Sequence, residues 1–343
     1  MKKIALAAAV AALSVGSAAH AQSNASLYGL TDMFVGQLKT GGASATVADS
    51  GGMSTSYFGF GGSEDLGGGL KTVFAVESFM RMDVGAGGRF GAGASGDPLF
   101  TRNAYVGLEN AMGRVAFGRQ TTPYFLSTII YNPFGDSFVF SPAVQQSFRG
   151  YILGDSGWNN SLSYGGSFGP VRAYLLYSLG LERFDNATNK SANKAFGGNL
   201  DYSAGPLSLN LAYQTFDSPG GTPEVITKQD ATLLSAAYNL SMARLTGQYQ
   251  MIKGTTSSTT KKDNGYQLGA SIKAGPGNVL VSLGNVKTTL TGAADVKRDT
   301  FAIGYDYFLS KRTDLYANYF QTKLNTAGAT TDTAVGLGIR HRF

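Results

Sequence analysis

From Tyr266 the chain reads YQLGASIK, with Tyr266, Leu268, Ala270 and Ile272 on one side of an extended segment and Gln267, Gly269, Ser271 and Lys273 on the other. A period of two with one apolar and one polar side is the mark of a strand. It recurs as Val171, Ala173, Leu175, Tyr177 and Leu179 against Arg172, Tyr174, Leu176 and Ser178. Leu207, Leu209, Leu211 and Tyr213 oppose Ser208, Asn210, Ala212 and Gln214 in the same way. Ala243, Leu245, Gly247, Tyr249 and Met251 oppose Arg244, Thr246, Gln248 and Gln250, and Phe301, Ile303, Tyr305 and Tyr307 keep the beat. The connections alternate in length. Tight turns at 65–69, 110–113, 168–170, 204–206, 241–243, 275–278 and 310–312 take turns with longer polar stretches at 39–52, 83–99, 181–193, 217–229, 254–264, 289–297 and 324–331.

This pattern predicts about sixteen strands, near 26–38, 53–64, 70–82, 100–109, 113–120, 148–166, 170–180, 194–204, 206–216, 230–240, 243–253, 265–274, 278–288, 298–309, 313–323 and 332–343. Residues 1–21 stand apart: Lys2 and Lys3 precede an apolar run from Ile4 to Val15 and an Ala19-His20-Ala21 cleavage pattern, so they read as a signal peptide. Nothing after them has the length of a membrane helix, which leaves a soluble protein or a closed barrel. Sixteen strands enclose a lumen too wide for side chains to fill, so the apolar faces belong against lipid. Short turns on one side and long loops on the other are what such barrels show. The predicted fold is all-β: residues 22–343 as one 16-stranded antiparallel transmembrane β-barrel. Phe34, Phe58, Phe74, Tyr177, Phe216, Tyr249, Tyr307 and Tyr319, near segment ends, suit interfacial aromatic girdles.

Composition narrows the chemistry. There is no cysteine, and only 15% of residues are charged, with 47 glycines and 9 prolines. Disulfide scaffolds, Cys-based metal sites and coiled coils are excluded. The formal charge of +6 includes two lysines of the signal segment and is too dilute and mixed for nucleic acid. After processing, His341 is the only histidine, so no Ser-His-Asp or Cys-His system can be assembled away from the terminus, and no metal site or cofactor is expected. Glu64/Asp65 and Asp295/Asp299 sit in turns and loops as solvated charges, and the Gly-rich run 59–69 lacks a phosphate-cradling pattern. No catalytic residue and no enzyme activity are expected.

Four motifs carry a resemblance. SLYGLTD (26–32), GSEDLGGGLK (62–71), NAYVGL (103–108) and GRQ (118–120), followed by a long connection with Pro133-Phe134-Gly135 and a terminal RHRF, are similar in order and spacing to Gram-negative general porins of the β-proteobacterial type. The last strand, Val335 to Phe343, alternates and ends in Phe, which looks like the signal read by the barrel insertion machinery. The resemblance implies a homotrimer in outer-membrane lipid and lipopolysaccharide, each subunit passing small solutes and ions. It also implies that the third loop, 121–147, folds inward as a constriction carrying Tyr131, Pro133, Phe134, Gly135 and Asp136. This is the one long connection rich in apolar residues, which agrees. By motif position Arg119 and Arg149 are the expected wall arginines, with Arg102 as neighbour, Arg81 beside them and Glu77 as an inward acid. Arg119 shares its strand face with Val115 and Phe117, so reaching the lumen requires a bulge at Gly118. Tyr57 and Leu30 stand where relatives carry basic residues, which shortens the arginine ladder. The surplus of arginines over Glu77 and Asp136 suggests weak anion preference. A substrate-selective channel, with Tyr57, Tyr131 and Phe134 as a track for a sugar or small organic acid, and a plugged structural or adhesin barrel are the alternatives.

Overall fold

The structure is a computed structural model that describes residues 24–89, 97–180, 193–218, 226–256 and 258–343; the predicted signal segment lies outside the described residues. Its strands are β1 (Asn24–Thr40), β2 (Ala43–Ser50), β3 (Tyr57–Gly67), β4 (Leu70–Arg81), β5 (Ala86–Gly87), β6 (Asn103–Asn110), β7 (Gly113–Thr121), β8 (Gly157–Phe168) and β9 (Val171–Ser178). They continue as β10 (Ala195–Ala204), β11 (Leu207–Asp217), β12 (Lys228–Asn239), β13 (Ala243–Thr255), β14 (Thr260–Ala274), β15 (Gly277–Leu290), β16 (Val296–Phe308), β17 (Thr313–Leu324) and β18 (Thr331–Arg342). Every pairing is antiparallel, and β18 closes on β1 from Leu30↔Arg342 to Lys39↔Thr333. Among the described residues no strand edge of the closed barrel is left for lipid to meet, the condition for spanning a bilayer with strands.

Eighteen segments make sixteen staves. β1 pairs with β2 through its loop-side half and with β3 through its turn-side half, so β2 and β3 share one position in the barrel. β5 is a two-residue hook on the end of β4. The stretch predicted as a polar loop at 39–52 therefore contains a strand. Between β2 and β3 the chain leaves the ladder at Gly51 and turns inward, because the Met53 and Ser54 amides donate to the Asp32 carboxylate at 3.0 and 2.9 Å.

The faces follow the predicted parity. Polar residues such as Gln214 and Gln267 are buried inside, and Leu268 and Leu337 are exposed outside, at 57% and 66%. The girdle assignment needs two corrections. Phe34 lies inside, in parity with Leu30 and Asp32, and meets Phe140 edge to face at 5.7 Å. Phe216 also points inward, against Trp158. Phe74, Tyr177, Tyr249 and Tyr307 are exposed on the outward face, while Phe58 and Tyr319 are half-buried.

Between β7 and β8 the chain forms two helices, α1 (Pro123–Ile130) and α2 (Pro142–Phe148). Each starts where sequence dictates. Thr122 and Ser141 accept from the amides of Phe125 and Val144, and a proline occupies the first helical position of both. α1 lies on β10–β12 and α2 on β14–β16. The strand predicted over 148–166 starts only at Gly157, because 149–156 is still crossing back from α2 to the rim.

Candidate functional site

The loop is held to the barrel wall by two kinds of contact. Phe134 and Phe140 are fully buried with Phe34, Leu280, Tyr316 and Phe320, and Pro133 lies against Gly269, where a Cβ would come within 2.5 Å of its ring. Polar side chains of the wall then satisfy the loop backbone, which would otherwise carry orphaned groups. Gln248 Nε2 donates to the Thr128 carbonyl at 2.8 Å and Gln250 Nε2 to the Gln146 carbonyl at 2.9 Å; in the other direction, the loop's Ser137 Oγ donates to the Gly52 carbonyl between β2 and β3. Tyr131 Oη donates to Asp201 at 3.0 Å. Gly135 takes φ +53° in the turn that joins the two apolar anchors. The loop thus lines one side of the lumen. Beside it a cavity of about 720 Å³ remains, bounded by β6–β11, β13 and α1.

The predicted site residues separate into groups. Glu77 is buried and inward, accepting from Tyr28 Oη at 2.7 Å, from Asn103 and from Arg102, whose guanidinium lies 3.8 Å over the Tyr57 ring. Arg102, Tyr57 and Glu77 are therefore one assembly. Arg81 pairs with Asp83. Asp136 accepts from Ser54 Oγ at 2.7 Å, fixing the loop to the β2–β3 detour. Phe343 exchanges backbone hydrogen bonds with Gly29, sealing the last strand onto the first.

Two placements differ from expectation. The ladder is irregular at Gly118/Gln120, yet Arg119 keeps the outward parity of Val115 and Phe117, because the extra residue is on β8, at Asn159 and Asn160. Its guanidinium bonds the Thr101 carbonyl, Asn159 at 2.7 Å and Asp155 at 3.1 Å, so its charge is held at the rim instead of the lumen cavity. Arg149 is the exposed cap residue of α2, bonded to Gln145, and lies on the loop instead of on a wall strand. A strand boundary misplaced by nine residues moved it there.

That rim holds a clasp. Arg89 forks onto Asp155 through two bonds of 2.8 Å and onto Asp97 through two more, at 2.8 and 2.9 Å. Such bidentate pairs are geometrically exacting. Burial pushes the Asp155 carboxyl up, but the Arg89 bonds outweigh it and hold the group down at about 2. A depressed carboxylate adds stability that is complete above its ordinary value, near ~3.9, and is lost as pH falls through about 2. Asp155→Asn is expected to open the clasp at neutral pH, with faster amide exchange at Arg89 and at Thr122, whose N–H donates to the Ser156 carbonyl. Unchanged exchange at both amides would show that the clasp does not hold the rim.

Charges that sequence reasoning passed over are as informative. Arg340 is buried among Asp314, Asp306 and Ser54. Arg114, Arg172 and Arg244 all line the cavity and, among the described residues, none makes an ion pair, whereas Arg81, Arg89, Arg102, Arg119, Arg340 and Arg342 all do. Arg114 bonds Tyr105 Oη at 3.2 Å, Arg244 reaches the Ile130 carbonyl at 3.4 Å, and Arg172 has no hydrogen bond among the described residues. The cavity's carboxylates are Glu109, which faces Arg114 across the ladder, and Asp201, already taken by Tyr131, Asn199 and Asn210. A signal existed: each of the three arginines is the second residue of its strand and has lumen parity.

Comparison with known proteins gives consistent results. The family described as Gram-negative porin matches residues 5–327. The chain is 33% identical to outer membrane porin protein 32 of Delftia acidovorans and 32% identical to an outer membrane porin protein of Bordetella pertussis, in both cases over all of both chains. Among solved structures it is similar to an anion-selective porin from Comamonas acidovorans, with TM-score 0.79, 30% identity and coverage of 94% of this chain and 100% of that one. The OmpF structure from Salmonella typhi, at 17% identity and TM-score 0.71, covers 93% of this chain and 97% of its own and shares the fold.

Proposed function

This chain belongs to the Gram-negative porin family, and on that premise we propose that it is a general diffusion channel of the outer membrane with a weak preference for anions. The observation that carries this is the inward loop that narrows the lumen without filling it, leaving a polar cavity of about 720 Å³ along the wall. Small hydrophilic solutes and ions pass down their gradients; the barrel contributes a width and a field. The sign of the field follows from which charges are spent. Arg102, Arg114, Arg172 and Arg244 line the cavity against Glu109 and Asp201, and of these four arginines Arg102 is ion-paired, to Glu77, whereas Arg114, Arg172 and Arg244 are not ion-paired among the described residues. Constriction by 121–147 and a pore-facing role for the Arg102–Tyr57–Glu77 assembly belong to the same reading. So do a homotrimer of independent pores seated in lipid and lipopolysaccharide, and Phe343 as the residue read during insertion.

Planar-bilayer conductance in a KCl gradient tests it. Stepwise insertions in threes with an anion-directed reversal potential are expected. A cation-directed potential would overturn the charge assignment alone, and folded protein without conductance would overturn the channel.

A further inference from the structure

Inside a water-filled lumen an exposed aliphatic side chain is out of place, and α1 presents one. Ile130 is 51% exposed, and Leu126, one helical turn before it, is half-buried; both line the cavity. The opposite face of α1, with Tyr124, Ser127 and Thr128, is fully buried against the wall. The helix therefore has a seat of its own, and its second apolar edge is left over. Across that edge stand Arg114, Arg172 and Arg244, none of them ion-paired among the described residues, and Arg244 is close enough to reach the Ile130 carbonyl. An apolar ledge opposite unspent guanidiniums fits a solute that is itself divided in the same way.

We propose that this end of the pore is a binding subsite for small monocarboxylates with an apolar body, aromatic acids above all. The carboxylate is held by Arg172 and Arg244, whose planar donors suit it, and the ring rests on Leu126 and Ile130. Glu109 and Asp201 share the cavity, so the field there is only modestly positive. That suits one negative charge better than two. The site lies toward the short turns, since Arg172 follows the 168–170 turn and Arg244 the 241–243 turn, which places it at the periplasmic mouth. A solute leaving the loop-lined narrows meets it last.

The proposal rests on the channel reading, and the test separates the two. Chloride current through single pores is recorded while potassium benzoate or potassium acetate is added on one side. Benzoate is expected to reduce the current saturably and acetate far less, because acetate has the charge without the ring. Arg172→Gln and Arg244→Gln are each expected to raise the half-blocking benzoate concentration by about tenfold, the factor that corresponds to 1.4 kcal/mol, at the lower limit for a charged hydrogen bond. Ile130→Thr is expected to weaken the benzoate block and to leave the weak acetate block as it was, because acetate has no ring to lose, and heat-dependent gel migration checks that each variant has folded. Benzoate and acetate acting alike, or no saturation, would overturn the subsite and leave the channel standing. Folded parent protein that passes no chloride would instead remove the channel.

Discussion

Arg340→Met is expected to lower the unfolding free energy of the barrel by about 3–5 kcal/mol, the range for removing one partner of a buried ion pair and leaving its counter-charges behind. The Arg340 Nε donates to both Asp314 oxygens at 3.2 and 3.1 Å, its Nη2 reaches Asp306 at 3.3 Å and its Nη1 reaches Ser54 at 3.1 Å. Without it, Asp306 and Asp314 stand side by side in the wall, with Arg342 on Asp314. Ser54 would also lose a donor, and Ser54 is the residue that holds Asp136 of the loop. The change should therefore act twice, on stability and on loop position. Urea unfolding of the lipid-reconstituted protein reads the first, and open-channel current noise reads the second. Arg340→Met combined with Asp314→Asn is expected to recover part of the loss, because one stranded charge is gone. A loss under about 1 kcal/mol, the value of an exposed pair, would mean that lumen water already screens the cluster.

Phe140→Ala is expected to cost about 3–5 kcal/mol, as for other fully buried aromatics truncated in a packed core, and to change conduction more than any charge substitution. Phe140 is 0% exposed and sits with Phe134 between Phe34, Tyr316 and Phe320. This cluster is the loop's apolar anchor on the β1–β18 seam. The wall contacts of Gln248 and Gln250 hold the two helices but not the stretch between them. With the apolar anchor weakened, residues 133–139 keep the Asp136–Ser54 and Ser137–Gly52 hydrogen bonds and move further into the lumen. Single-channel recordings should show a lower mean conductance and added noise, with ion preference retained because Arg114, Arg172 and Arg244 are untouched. A conductance and noise equal to the parent's would show that the polar contacts alone keep the loop on the wall.

Much of this molecule is written along the chain. Strand periodicity is a local property: Cβ atoms alternate from one residue to the next, so YQLGASIK states which side meets lipid without knowing its neighbours. The alternation of short turns and long loops is equally local, and together they determined sixteen staves, closure and the outward apolar face. Local signals erred where a distant partner overrides them. Phe34 reads as a girdle residue until Phe140, over a hundred residues on, gives it an interior to pack in. Polar residues 43–50 read as a loop until β1 offers them a ladder. Arg149 was carried to the wall by a strand that begins later than its pattern suggests.

The charged lining was decided by tertiary structure alone. All of its arginines are visible in the sequence, and parity even sorts most of them inward or outward. What parity cannot give is which guanidinium meets a carboxylate. Arg89 finds Asp155 across 66 positions and Arg340 finds Asp306 across 34, while Arg172, directly opposite Asp201 on the ladder, finds that carboxylate occupied by neutral donors. Coulomb attraction depends on distance through space and on the medium between the charges. The sequence therefore determined the barrel and its two faces, and the folded chain decided which of its charges a passing ion would feel.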